Sequence, residues 1–345
     1  MKSLMLLSSD DRQRYAEDIQ TVLAAPEGTI VQFRYRERWV EPALQRAVPS
    51  RKAERLPAVL GFVASGSDPF ILPVRYATVA RAECIADMFI FKLRLGGYVN
   101  LQHEYPLSLQ DIVAKSRTTV SQLMMNENSR FYPATSSFPQ MPEEVTDDGP
   151  ERWLATARRL ALHPTFENSY FLRVAPFETK QNKKLRFDDE GRIRTVDGQS
   201  LRIDTNIFGE KYAPKAEFKL TCTTGGTNIR VASDDVYRVA LRYDSVEFWL
   251  HPAAQNFDTL SGVKISLASE RNGATTIPAH VRLPLVVNRS KSRTLRRWSA
   301  ASAGAVLVAL PAILGEDSPL SLRIAAALVG AGLLALSGAV LSSPR

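Results

Sequence analysis

The sequence predicts an α+β, mostly β chain. It reads as a mixed N-terminal α/β-strand domain, a β-sandwich or barrel-like second domain and a C-terminal transmembrane helical hairpin. Three observations predict it. Short runs rich in Val, Ile, Phe and Tyr recur between Gly, Pro and Asp clusters over residues 29–101 and again over 168–288. Pro133, Pro139, Pro142 and Pro150 crowd a window of little periodicity between them. The chain then ends in two long stretches without a charged side chain.

The first domain is expected over 1–130. Leu4 to Leu7 is too short for the apolar core of a secretory signal, which needs about seven to fifteen residues, so no cleaved signal is expected and the domain starts in the cytoplasm. After Ser9, Tyr15, Ile19, Val22 and Leu23 fall on one face of a helix that Pro26-Glu27-Gly28 ends. Strands are expected at Thr29–Val40, Ala58–Ser65, Phe70–Val79 and Met88–Leu101, with a basic loop (Arg46, Arg51, Lys52, Arg55) between the first two. Ser108-Leu109-Gln110-Asp111 opens a second helix that runs to about Asn126.

Residues 131–150 read as a linker. In 151–288, a helix started by Pro150 turns Trp153, Leu154, Ala157, Leu160 and Ala161 inward. Strands are expected at Tyr170–Pro176, Arg192–Val196, Ser200–Asp204, Glu217–Thr223, Asn228–Ala232, Tyr237–Tyr243, Val246–His251, Gly262–Leu267 and Ala279–Val287. Asp197-Gly198 reads as a two-residue hairpin turn, and Gly225-Gly226 as another. Cys222 and Trp249 are placed on neighbouring strands, and Cys222 and Cys84 are both read as buried thiols. Two cysteines exclude a disulfide-rich scaffold or a multi-cysteine zinc module.

The tail carries the clearest signal. Trp298–Gly315 and Ile324–Pro344 are uncharged over 18 and 21 residues, each long enough for most of a hydrocarbon core about 30 Å thick. Arg289, Lys291, Arg293, Arg296 and Arg297 precede the first run within the segment 289–298, and Trp298 suits the membrane interface. The positive-inside rule then keeps both termini cytoplasmic, in the inner membrane. Across the hairpin, 299–345, Ala301, Ala305 and Ala309 recur at a spacing of four, as do Ala327, Ala331, Ala335 and Ala339. That spacing predicts close helix packing, within the hairpin or between copies. Of the chain's 44 Lys plus Arg and 36 Asp plus Glu, seven bases and two acids lie in 289–345, so residues 1–288 keep a net charge of only +3. The basic balance belongs to a membrane collar that meets anionic headgroups, and nucleic acid is not the expected partner.

No motif names a reaction. His103, His163, His251 and His280 show no metal-ligand spacing, so no metal or cofactor is expected. Ser65-Gly66-Ser67-Asp68 lacks a nucleophile elbow, and Thr223–Thr227 lacks the Lys of a phosphate loop. Leu107–Met125 echoes a helix-turn-helix but has no turn residue between two helices. No catalytic residue is assigned. The candidate ligand surface is Arg34, Arg36 and Arg38 on one strand face, joined by Lys92 and Arg94 if their strands are neighbours. In layout, a cytosolic sensing part that ends in a short membrane hairpin resembles the membrane effectors of bacterial immune systems. The sequence therefore favours a membrane-anchored, non-enzymatic sensing protein that acts as a membrane effector in bacterial antiviral defence, its alanine-rich hairpin associating with copies of itself and perturbing the bilayer, with a homo-oligomeric or protein partner. The alternatives are a membrane-tethered enzyme and a binder of anionic ligands or nucleic acid through the Arg34–Arg38 face.

Overall fold

The computed structural model describes residues 4–9, 13–40, 42–64, 70–99, 149–210, 218–253, 258–269, 276–290, 299, 302–309 and 319–339. The chain is mostly β with several sheets. The Ser108 helix, the Ser65–Asp68 turn and most of the Pro-rich linker lie outside these residues, as do His103, Lys291, Arg293, Arg296, Arg297, Trp298 and Ala301.

The first sheet holds β1 (Leu4–Ser9), β2 (Ile30–Arg36), β3 (Pro57–Ala64), β4 (Phe70–Ile85) and β5 (Met88–Tyr98), in the order β1-β3-β4-β5-β2. β1 pairs in parallel with β3, and the other pairs are antiparallel. The short apolar run at Leu4–Leu7, too short to span anything, is thus an edge strand. The parallel pairing requires a crossover, and α1 (Gln13–Ala24) is part of it. The basic loop contains a short helix, α2 (Pro42–Ala47), that its sequence did not signal.

Helix α1 buries Ala16, Ile19, Val22 and Leu23. It packs against β1, β3 and β4 on one side and against strands of the second half on the other. Arg75 of β4 is buried at 0% exposure and caps its C-terminus. Its guanidinium donates to the carbonyls of Gly96 (2.6 Å) and Val22 (3.1 Å), and also to that of Ala25. Tyr98 lies 4.3 Å from the Arg75 guanidinium at its ring centroid, and its hydroxyl donates to Leu23 O at 2.8 Å. A cation here satisfies carbonyls that the last helical turn leaves open and complements the negative end of the helix.

The second half begins with α3 (Pro150–Ala161), with Pro150 in its first turn and Trp153, Ala157, Leu160 and Ala161 buried. The Trp153 indole donates to Leu172 O at 3.2 Å. The strands that follow are β6 (Tyr170–Val174), β7 (Glu178–Thr179), β8 (Ile193–Val196), β9 (Leu201–Gly209), β10 (Phe218–Thr224), β11 (Ile229–Val231), β12 (Val236–Arg238), β13 (Tyr243–Pro252), β14 (Thr259–Ser269) and β15 (Ala279–Asn288). They form two facing sheets, ordered β12-β10-β14-β15-β8 and β11-β13-β9-β6, with β7 also on β9. Alternation of buried and less buried residues along Leu201–Ile207 of β9, Ser261–Leu267 of β14 and all of β15 turns one face of each strand into a shared core. The sandwich-like reading stands. One continuous apolar cluster joins it to the first sheet through α1, which lies against β15 and β6.

Several local expectations are corrected. Asp197-Gly198 does form a turn, with Gly198 at φ 76° and Gln199 N donating to Val196 O at 3.1 Å. It does not close a hairpin, because β8 pairs in parallel with β15 while β9 lies in the other sheet. Gly225-Gly226 likewise carries the chain from β10 in one sheet to β11 in the other. Cys222 and Trp249 are therefore on opposite sheets, not neighbouring strands. Cys84 is exposed and not buried. The expected strand Tyr237–Tyr243 divides between β12 and the start of β13.

Candidate functional site

The arginine strand behaves as its alternation predicts as far as Arg36. Phe33 is buried and Tyr35 half-buried, while Arg34 and Arg36 are exposed. Arg38 departs from the pattern, because Glu37–Trp39 form a 3-10 turn that ends the strand face. β2 and β5 are neighbours, so the expected cluster assembles. Gln32 sits opposite Lys92, Ile30 opposite Arg94 and Arg34 opposite Ile90. β4 extends the rows by placing Arg81 opposite Lys92 and Glu83 opposite Ile90.

Part of this charge is already engaged. Arg81 pairs with Glu83 at 2.9 Å. Arg94 donates to the carbonyls of Asp188 (3.0 Å) and Asp189 (2.9 Å), which fastens the 186–192 turn of the second half to the first sheet. Gly191 in that turn has φ 71°, and a Cβ there would lie 2.7 Å from Ile30, so only glycine suits both its backbone and its neighbour. Burial raises the Asp188 carboxyl, but hydrogen bonds from the Arg192 backbone and guanidinium and from Glu190 N outweigh it and hold the group below the usual carboxylate range. Arg94 is therefore a joint between the two halves, and the open cationic surface reduces to Arg34, Arg36 and Lys92.

Among the described residues, a concave surface lies elsewhere. A groove of about 690 Å³ is lined by Leu154, Arg158, Arg159 and Leu162 of α3 and its end, with Phe208, Glu210, Arg242 and Tyr243. Residues 154, 158 and 162 repeat at four, so one helix face presents Leu, Arg and Leu in a row. Phe208 is buried and forms the floor. The guanidiniums of Arg158 and Arg242 approach its ring at 5.8 and 5.9 Å from the centroid, within cation–π range. Arg242 also pairs with Glu210. Among the described residues no histidine, cysteine or serine lines the groove. Sequence reasoning missed it because its residues come from three separated segments. Leu154, expected to turn fully inward, is only half-buried and lines the groove, and the Leu154-Arg158-Leu162 repeat was the one available signal.

No cluster of potential metal ligands occurs among the described residues. His163 Nδ1 accepts from Thr165 N at 3.3 Å and its ring lies edge-on to Phe62. Burial pushes both His163 and His280 below the usual imidazole value. The buried Cys222 thiol is pushed up to about 12, chiefly by burial and then by Asp235, so it is inert.

In the tail, α4 (Leu320–Ala339) is 20 residues long and lies against a helical segment over 302–309. A Cβ at Gly330 would lie 2.7 Å from Val308 N and 2.9 Å from Gly304 O, so the two backbones approach as only glycine allows. Gly304 and Gly330 are buried, whereas Ala305, Ala309 and Ala331 are exposed and Ala327 is half-buried. The contact therefore falls on glycine, beside the alanine stripe. The described side chains of α4 are Ser321 and those of 324–332; those of Ala335 and Ala339 lie outside them. Among the described residues no helix is long and apolar enough to cross a membrane.

Comparison with known proteins adds little. No family model matches the chain, and no curated protein matches it. Solved structures that resemble parts of it include the following two. The periplasmic chaperone SfaE is 9% identical with a TM-score of 0.22, over 29% of this chain and 56% of that one. A conjugative transposon lipoprotein from Bacteroides eggerthii DSM 20697 is 11% identical with a TM-score of 0.22, over 34% of this chain and 96% of that one. At these scores neither likeness informs fold or function.

Proposed function

We propose that the chain is a membrane-anchored, non-enzymatic interaction protein. Its β-rich body holds a protein partner on the cytoplasmic side, and its C-terminal hairpin fixes it in the inner membrane and associates with copies of itself. The observation that carries this reading is the inside-out packing of the tail. Glycines meet at the contact, while Val306 (58%), Leu328 (68%) and Val329 (56%) point outward and exposed. In water that outward apolar surface is a liability; against lipid tails it costs nothing. The sequence supports the same reading through the uncharged run from Ile324 to Pro344 and the five bases between Arg289 and Arg297.

Fractionation of expressing cells tests it. The full chain is expected to stay with membranes after a carbonate wash, and a chain ending at Ser290 to be released. A washed-off full chain overturns the reading. Dye release from anionic vesicles carrying the full chain then separates an effector that perturbs the bilayer from a passive anchor.

A further inference from the structure

We propose that the groove between α3 and the β9/β13 end of the sandwich is the docking site for an acidic, partly apolar segment of a partner protein. The proposal rests on the interaction reading above and supplies the chemistry of the partner.

The argument begins with charge. Three guanidiniums, those of Arg158, Arg159 and Arg242, line the groove against one carboxylate, that of Glu210. Glu210 is taken by Arg242. Arg158 and Arg159 both line the groove, and among the described residues no carboxylate pairs with either. Guanidinium forks bind carboxylates bidentately, and that match selects an occupant with acidic side chains.

The apolar lining then selects the kind of acid. Leu154, Leu162, Phe208 and Tyr243 alternate with the charges, and at the rim Leu162 is 68% and Tyr243 45% exposed. A small ligand settled over Phe208 would leave those rim side chains in water, whereas an extended polypeptide would cover them. Tyr and Arg around a buried aromatic floor is also the composition that dominates the energetics of protein interfaces. The Arg158 and Arg242 guanidiniums already lie within cation–π range of the Phe208 ring before any partner arrives, so less side-chain ordering remains to be done on binding.

Selection of a displayed random peptide library of about twelve residues, on the full chain in detergent, tests the proposal. Enriched peptides are expected to carry two or more Asp or Glu beside an apolar residue and to weaken as salt rises. Arg158→Glu/Arg159→Glu is expected to weaken their binding at least about tenfold, and Tyr243→Ala, which leaves the charge intact, about threefold or more. Both variants alter exposed or half-exposed groups, and an unchanged circular dichroism spectrum confirms that each is folded. Three outcomes overturn the proposal: enrichment of basic or uncharged peptides, equal binding of the selected peptides to the charge-reversed variant, or no enrichment at all. Tighter binding of a single-stranded oligonucleotide to the same arginines, or self-association of the chain abolished by the charge reversal, would also overturn it by naming a different occupant. Because anchoring is read separately by fractionation, a chain that stays with membranes but selects no acidic peptide loses the groove proposal alone.

Discussion

Replacing Arg75 by Ala should strongly destabilise the first sheet. The side chain is fully buried and donates to the carbonyls of Gly96, Val22 and Ala25. Its removal leaves three buried carbonyls without that donor, exposes the negative end of α1 and opens a cavity of several methylenes beneath the Tyr98 ring. A hydrogen bond from a charged group contributes about 1.5–3 kcal/mol, so three would reach roughly 4.5–9 if they were additive. They share one side chain, and water admitted to the vacated space would satisfy some of the carbonyls, so a loss of about 4 kcal/mol is the expected outcome. Arg75→Lys keeps the charge but cannot reach all three carbonyls, and should lose about half as much. Urea unfolding of the full chain in detergent, followed by tryptophan fluorescence through Trp153, measures both. A loss below about 1 kcal/mol for Arg75→Ala, or equal losses for Ala and Lys, would refute the claim that this guanidinium caps the helix.

Three further outcomes are expected. Gly330→Ala should lengthen the distance between spin labels at Ser302 and Ala331, because its Cβ meets the facing backbone. Gly332→Ala, whose Cβ meets nothing within 4 Å, should leave it unchanged. Native protein should react with a thiol reagent at Cys84 alone, and Cys222 should react only after unfolding. Thermal stability should fall as the pH drops through about 6.5, where the unfolded histidines take up protons and the folded His163 and His280 do not. It should level off once the folded imidazoles also protonate, at the lower pH that burial imposes on them. His280→Gln should flatten part of that fall in melting scans between pH 5 and 7.5.

Much of this molecule was legible because its strands and helices expose one face and bury the other. Ile19, Val22 and Leu23 located α1, and Trp153, Ala157 and Leu160 located α3, through a spacing that only a helix satisfies. The alternation of Arg34 and Arg36 with Phe33 and Tyr35 placed those arginines on one face, and the register of β2 on β5 brought Lys92 and Arg94 beside them. What alternation does not specify is the sheet that a strand joins. The Asp197-Gly198 turn satisfies its local hydrogen bond equally well in a hairpin and in an arch between sheets, so its sequence signal was real and its topological reading was not. The groove was hidden for a related reason: Arg158 and Arg242 meet at Phe208 only after two sheets have packed. Arg75 stood in plain view, a lone base inside the apolar run Phe70–Val79.

The position of β15 has a consequence for biosynthesis. This strand lies between β14 and β8 and against α1, so it joins the earliest helix of the chain to the sandwich. Its parallel partner β8 was made some ninety residues earlier, as the pairing of Leu285 with Ile193 shows. Until residues 279–288 have left the ribosome, β8 has no partner on that side, the inner edge of β14 is bare, and one face of α1 is uncovered. Long-range pairings of this kind close late. The body therefore completes its fold only as the basic segment and the hairpin begin to emerge, and a nascent chain stalled before Ala279 should be the species most prone to aggregation and proteolysis.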